Sequence, residues 1–243
     1  KILAIVKDGQ RVENALEGDE VVILTDRTPF YGESGGQVGD TGLIQGNDGS
    51  FEVGNTTKNQ AKSFLHHGIV SAGILSVVDS MRRESIMRNH TAAHLLQAAL
   101  RKVLGEHVEQ AGQLVNEEHV RFDFTHFSAI SQEELHKVEL LVNEEILKGE
   151  EVSCREMPIE EARKLGAMAL FGEKYGDIVR VVSVGDFSRE FCGGTHVANT
   201  GKLGLFRIVS ESSVAAGVRR ITGVTGFGVL KLLQDTAMLI GET

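Results

Sequence analysis

The sequence predicts an α+β fold: a small β-barrel-like unit over residues 1–75, an α+β domain with a largely antiparallel sheet over 76–225, and a further helix starting in 226–243. Three observations carry this. Up to about residue 75 the apolar residues come in short runs broken by glycines, which reads as strands and tight turns. From Ser80 helical and strand periodicities alternate, the pattern of helices packed on a sheet. With Gly 28 against Pro 2, the chain has many turns and few proline breaks.

The first unit opens into "VVILTDRTPFYGESGGQVGDTGLIQG" (21–46), a β-branched run followed by glycines at 32, 35, 36, 39, 42 and 46, positions suited to bulges and turns. "AGILSVVD" (72–79) closes it. In "HTAAHLLQAALRKVLG", Leu96, Ala99, Leu100, Val103 and Leu104 fall at helical spacing, with Asn89 as the expected N-cap and Gly105 as the stop. "HVRFDFTHF" (119–127) alternates as a strand. "SQEE" (131–134) is a capping box opening a helix to about Lys148, stopped by Gly149. "EEVSCREM" reads as a strand and Pro158 suits the first turn of a short helix. "DIVRVVSV", "FSREFC", "LGLFRIVSE" and "GVRRITGVTG" read as four more strands, and "GVLKLLQDTAMLI" as an amphipathic start to the last helix.

At 243 residues and 41% hydrophobic, the chain is large enough to bury a core. No apolar run approaches the ~18 residues of a membrane span. The first stretch is too short and too quickly charged for a signal peptide, and the missing initiator Met suggests a piece of a longer protein. Two cysteines, Cys154 and Cys192, make no disulfide framework and favour a cytoplasmic setting. The net charge of -9 argues against general nucleic-acid adhesion but leaves room for local basic faces at "MRRESIMR" (81–88) and "GVRRI" (217–221).

"REFCGGTH" (189–196) holds Cys192 and His196 four residues apart, with Gly193 and Gly194 letting the backbone turn between them. His90 and His94, also four apart, share one face of the predicted helix. That face lies more than about 100° from the Leu96/Leu100/Val103 stripe and continues through Gln97 and Arg101, so it looks into a site. An H-x3-H pair alone is common on solvated helices. Joined to C-x3-H it makes a four-donor set, His90, His94, Cys192 and His196, whose imidazole and thiolate chemistry suits Zn2+. A zinc peptidase would need Glu immediately after the first His; here that residue is Thr91. The remaining histidines and Cys154 have no partners at ligand spacing and read as ordinary core or surface residues.

Several blocks, "HTAAHLLQAAL", "RFDFTHF", "GAMALFGEKYGDIVRVVSVGDFSREFCGGTH" and "GLFRIVSESSVAAGVRRI", resemble the editing domain of alanyl-tRNA synthetases, and "TPFYGESGGQVGDTG" resembles the glycine-rich segment ahead of it. Free-standing alanyl-tRNA editing proteins share the H-x3-H and C-x3-H pattern. The resemblance covers nearly the whole chain. It implies a zinc-dependent deacylase that hydrolyses tRNA(Ala) mischarged with serine or glycine, with the rest of the synthetase as a partner. It implies that the zinc ligands are His90, His94, Cys192 and His196, and that Gln110 is a polar editing residue. Ala93 and Gln97 depart from the family's common HTATHLLH at its fourth and eighth positions.

For such a reaction, Cys192 is catalytic through the metal, Gln110 tests for the serine hydroxyl, and the Gly193 and Gly194 N–H groups are candidate oxyanion donors. Arg219 and Arg220 are candidates for tRNA phosphates, or for pairing with the acidic excess. Four protein ligands close a tetrahedron, as in structural sites, so the expectation is three firm ligands and an exchangeable fourth position. Two other readings stand beside the deacylase: a zinc-stabilised module that binds the acceptor stem without catalysis, and a zinc hydrolase acting on something other than tRNA.

Overall fold

The computed structural model describes residues 2–46, 49–71, 77–169 and 175–241. The chain divides into two compact units, Lys1–Glu84 and Ser85–Thr243. No helix among the described residues is long and apolar enough to cross a membrane.

The first unit is one antiparallel sheet. Its strands are β1 (Ile2–Lys7), β2 (Gln10–Val12), β3 (Glu20–Thr25), β4 (Gly42–Gly46), β5 (Gly49–Lys58), β6 (Phe64–Ser71) and β7 (Val77–Val78), in the order β2-β1-β3-β6-β5-β4-β7. Of the expected closing stretch 72–79, residues 72–76 lie outside the described residues. Among the described residues the sheet is open rather than barrel-like: β2 and β7 are its edges and do not pair with each other. Strands this short offer too few backbone groups to close a ladder. Val21, Ile23, Phe30, Phe51 and Val53 form its core. The glycines do two different jobs. Gly35 and Gly36 take positive φ in the Ser34–Gln37 turn. Gly39 lies so close to β5 that a Cβ would sit 1.9 Å from the Thr56 carbonyl oxygen.

The division between units falls inside α1 (Ser80–Leu104). This helix starts nine residues before the expected N-cap, because Asp79 caps it: its Oδ1 accepts the Arg82 N–H at 3.0 Å. The charged run 81–88 hid the start. Within the first unit, Arg82 donates to the Gly39 carbonyl, and Arg83 pairs with the buried Asp40, whose Oδ2 also accepts the Tyr31 N–H. Gly105, at φ 115, ends the helix as expected.

Among the described residues, the second unit carries two antiparallel sheets. One holds β8 (Gln110–Val115), β9 (Val120–Thr125), β13 (Phe206–Ala215) and β14 (Val218–Thr225), in the order β13-β14-β9-β8. The other holds β10 (Val152–Pro158), β11 (Ile178–Val184) and β12 (Ser188–Phe191) in sequence order. The helices are α2 (Gln132–Lys148), α3 (Ile159–Lys164) and α4 (Phe227–Gly241), with a 3-10 turn at Thr200–Leu203. The capping box of α2 forms as expected, Ser131 with Glu134, and Gly149 closes the helix at φ 64. Strand β8 and the 3-10 turn were not anticipated from the sequence. Phe122, Phe124, Phe206, Leu95, Leu96, Leu100 and Ile221 are fully buried and centre the core on α1 and the four-stranded sheet.

Candidate metal centre

Helix α1 is buried on every side from Asn89 to Leu100, so the face bearing His90 and His94 lines an interior site rather than solvent. Asn89 is not a cap but a buried tie. Its Nδ2 donates to the Asn116 carbonyl at 2.9 Å, and its Oδ1 accepts the Thr225 hydroxyl at 2.7 Å. These bonds join the helix to the β8–β9 turn and to the end of β14, and set the height of His90 and His94 against the sheet. Their rings meet edge-on, centroids 5.5 Å apart.

The other two donors follow β12. Alternation along that strand sends Ser188 and Glu190 inward, both buried, and Cys192 continues the same parity. Backbone pairing carries one step beyond the strand, with Cys192 N–H on the Arg180 carbonyl at 3.0 Å. Arg180 Nη1 then holds the loop from the other side, donating to the Cys192 and Gly194 carbonyls at 2.8 and 2.7 Å. The Gly194 N–H points back to Cys192 Sγ at 3.3 Å. Neither Gly193 nor Gly194 takes a positive φ, so the turn does not require the left-handed region. Space remains open around Gly193, where a Cβ would meet nothing within 4 Å.

The four expected donors converge: one ligand atom from each of His90, His94, Cys192 and His196 lies within 4.8 Å of all the others. Cys192 Sγ is 3.5 Å from His90 Nε2 and 3.3 Å from His196 Nε2. The His196 ring sits 4.4 Å from that of His90 and 4.6 Å from that of His94, centroid to centroid. Bonds of ~2.0–2.3 Å to a tetrahedral zinc put donors roughly 3.3–3.8 Å apart, so the thiol-to-imidazole separations fit that ion. Burial holds all three imidazoles neutral, with His94 lowered to about 4 and His90 and His196 well below the ordinary value. Neutral imidazole is the form that offers a lone pair. Burial also pushes the Cys192 thiol up to about 12, so with no cation present it stays protonated. The three histidines are buried whereas Cys192 is half-buried.

Three further residues touch this centre. Glu190, buried, has Oε2 3.7 Å from His94 Nδ1 and accepts the Ser188 hydroxyl at 3.0 Å; burial raises its carboxyl to about 8. Gln113 brings its Nε2 to 3.4 Å from His90 Nε2. The Thr91 hydroxyl lies 3.2 Å from His196 Nδ1. Sequence alone offered a signal for Glu190, the period-2 step back from Cys192. For Gln113 it offers none, because the register shift between Gln110 and Gly112 breaks the strand alternation of β8. Gln97 is buried with its Oε1 unpartnered, whereas Arg101 turns away to the Glu106 and Val108 carbonyls.

Gln110 begins β8 opposite Phe124, as Gln113 lies opposite Phe122, so the two glutamines share one face of the sheet. Arg219 is paired with Glu211, and Arg220 makes a bidentate pair with Asp123 at 2.6 and 2.7 Å. Two histidines read as unpartnered from their spacing, His107 and His126, meet with ring nitrogens 2.9 Å apart.

Comparison with known proteins bears on both units. Residues 1–85 match the model of the class II (A) tRNA synthetases. Residues 179–222, which include Cys192 and His196, match the second additional domain of threonyl and alanyl tRNA synthetases. The whole chain aligns with the alanine--tRNA ligase of Acetivibrio thermocellus at 51% identity over 249 residues, 28% of that protein. The alanine--tRNA ligase of Thiobacillus denitrificans is 54% identical over 240 residues, 96% of this chain and 27% of its own length. That of Clostridioides difficile is 53% identical over 248 residues, 99% of this chain and 28% of its own length. The chain therefore spans little more than a quarter of each of these relatives.

Proposed function

We propose, from the premise that this chain belongs to the alanine--tRNA ligase family as a segment of it, that it hydrolyses the ester joining serine or glycine to tRNA(Ala). In this reading it is a zinc-dependent, cytoplasmic editing deacylase that works beside the rest of the synthetase. The observation that carries the reading is the convergence of His90, His94, Cys192 and His196 in the interior of a chain with these relatives.

Zinc, when bound, supplies a Lewis acid able to polarise the ester or to lower the pKa of a water. The chain's own residues supply the rest. Neutral His90, His94 and His196 present lone pairs, and the aminoacyl end approaches past the half-buried Cys192. The Gly193 N–H, beside open space, is a donor for the developing oxyanion. The Gly194 N–H already serves Cys192 Sγ. Gln110, on the sheet face it shares with Gln113, pairs with the serine hydroxyl. With alanine in place its polar group stays unpaired, at a cost of ~1–3 kcal/mol, which protects the correct product. Arg219 and Arg220 are the proposed phosphate contacts, each sharing its charge with a carboxylate.

A second reading draws on one specific observation. Four protein donors are the complement of a closed structural zinc, which would make the unit a tRNA-binding module without catalysis. Incubating the zinc-loaded chain with Ser-tRNA(Ala) and Ala-tRNA(Ala), with and without chelator, separates the two. Release of serine but not alanine, stopped by chelator, is the expected result. A folded, zinc-loaded chain that binds tRNA and releases no serine leaves the binding module.

A further inference from the structure

We infer that Thr91 is the positioning residue of the metal centre: its hydroxyl fixes the tautomer of His196 and so aims Nε2 at the site. This rests on the zinc reading above. Thr91 is fully buried on α1 and makes three contacts through one oxygen. It lies 2.9 Å from the Met87 carbonyl, 3.2 Å from the Val197 N–H and 3.2 Å from His196 Nδ1.

A hydroxyl has one proton to give and two lone pairs to fill. The Met87 oxygen is a pure acceptor, so it takes the proton, the familiar bond of a helical Thr to the carbonyl one turn back. The Val197 N–H is a pure donor and fills one lone pair. Only a lone pair is left for His196, so Nδ1 must carry the hydrogen. Nε2, the nitrogen 3.3 Å from Cys192 Sγ, is then the bare one, as a ligand must be. The same hydroxyl also binds the backbone just past His196, so it sets the ring's position as well as its tautomer. The residue that removes the peptidase reading, by standing where a catalytic Glu would stand, thereby acquires a different role.

The test uses the full chain and three variants of one site: wild type, Thr91→Ser, which keeps the hydroxyl, and Thr91→Val, which keeps the shape. Long-range nitrogen–proton NMR of the zinc-free protein should find His196 as the Nδ1–H tautomer in wild type and Thr91→Ser. Zinc affinity, by chelator competition, should fall roughly 10–100-fold in Thr91→Val and stay near wild type in Thr91→Ser. An Nε2–H tautomer in the wild type overturns the inference. So does a folded Thr91→Val protein with wild-type affinity. If the valine variant does not fold, the wild-type tautomer decides. A wild type that binds no zinc sinks the metal reading instead, and leaves the tautomer result to stand or fall separately.

Discussion

His66 in the first unit and His94 in the second are both buried, and burial lowers the basicity of both. Their surroundings differ. His66 spends both ring nitrogens on its own unit, Nδ1 with the Ile23 carbonyl at 2.9 Å and Nε2 with the Thr28 hydroxyl at 2.7 Å. His94 Nδ1 makes no hydrogen bond, with the Glu190 carboxyl 3.7 Å away, and its ring lies edge-on to two other imidazoles. Burial and a lowered pKa therefore mark a core histidine as readily as a ligand. The discriminating question is where the polar atoms go, because a dry interior tolerates few that go nowhere. His66 staples β6 to the segment after β3. The second unit gathers electron-rich nitrogens and a sulfur around one point, which is stable only when protons or a cation sit among them.

The sharpest break in this comparison comes from Cys192→Ala. We expect serine release to fall by roughly two orders of magnitude or more, the scale of losing a Lewis acid's several kcal/mol of charge stabilisation. The fold should persist, since the core on α1 and the four-stranded sheet does not include the thiol. Parallel rates and thermal melts on wild type and variant check it. Full activity in a folded, zinc-free variant would remove the metal from the reaction, and loss that merely tracks unfolding would favour the binding module.

Exchanging the histidines comes next. His66→Ala should cost ~1–3 kcal/mol of stability, by removing the imidazole's bonds to the Ile23 carbonyl and the Thr28 hydroxyl, with zinc affinity unchanged. His94→Ala should do the reverse, losing tight zinc binding with a smaller effect on the zinc-free fold. Denaturant titration and chelator competition on both variants read the two effects. If His66→Ala also loses zinc, the contrast is wrong.

A third outcome concerns pH. His94 titrates near 4 in the fold against 6.5 when unperturbed. The unfolded chain therefore binds its proton first, and stability falls as pH drops below about 6.5, by roughly 3 kcal/mol for this residue. Glu190 runs the other way. Its carboxyl is raised from 4.5 to about 8, so its contribution is full below 4.5 and is lost as pH climbs toward 8. Between about 4.5 and 6.5 the slopes of His94 and Glu190 offset each other, and His90 and His196, lowered in the same direction as His94, tip the balance, so the zinc-free chain should be most stable at about pH 6.5. Glu190→Gln should remove the decline between about 6.5 and 8. Denaturation midpoints across pH, in chelator, test this; an unaltered alkaline limb would mean that Glu190 is ionised at neutrality.

The smallest effect is expected at Arg219 and Arg220, whose carboxylate partners already hold them. Alanine at either should weaken tRNA binding a few-fold and reduce the salt dependence by about one phosphate contact. An unchanged salt slope would take that arginine out of the interface.

Most of the local grammar was legible. The Ser131–Glu134 capping box, the Gly149 and Gly105 stops, the i,i+4 histidines and the C-x3-H turn depend on residues a few positions apart, which helix geometry or a short turn brings side by side. What escaped involves partners far apart in the chain. The early start of α1 rests on Asp79 and on charges whose partner is Asp40, so 81–88 read as a free basic face. The open edges of the first sheet, the Glu211 and Asp123 partners of the arginines, and the approach of Gln113 and Glu190 to the cluster belong to the same class. Residue order chose the four donors and the helix that carries two of them. Packing brought Thr91 to His196 across 105 positions, because such a contact is set by how elements stack and not by any spacing along the chain.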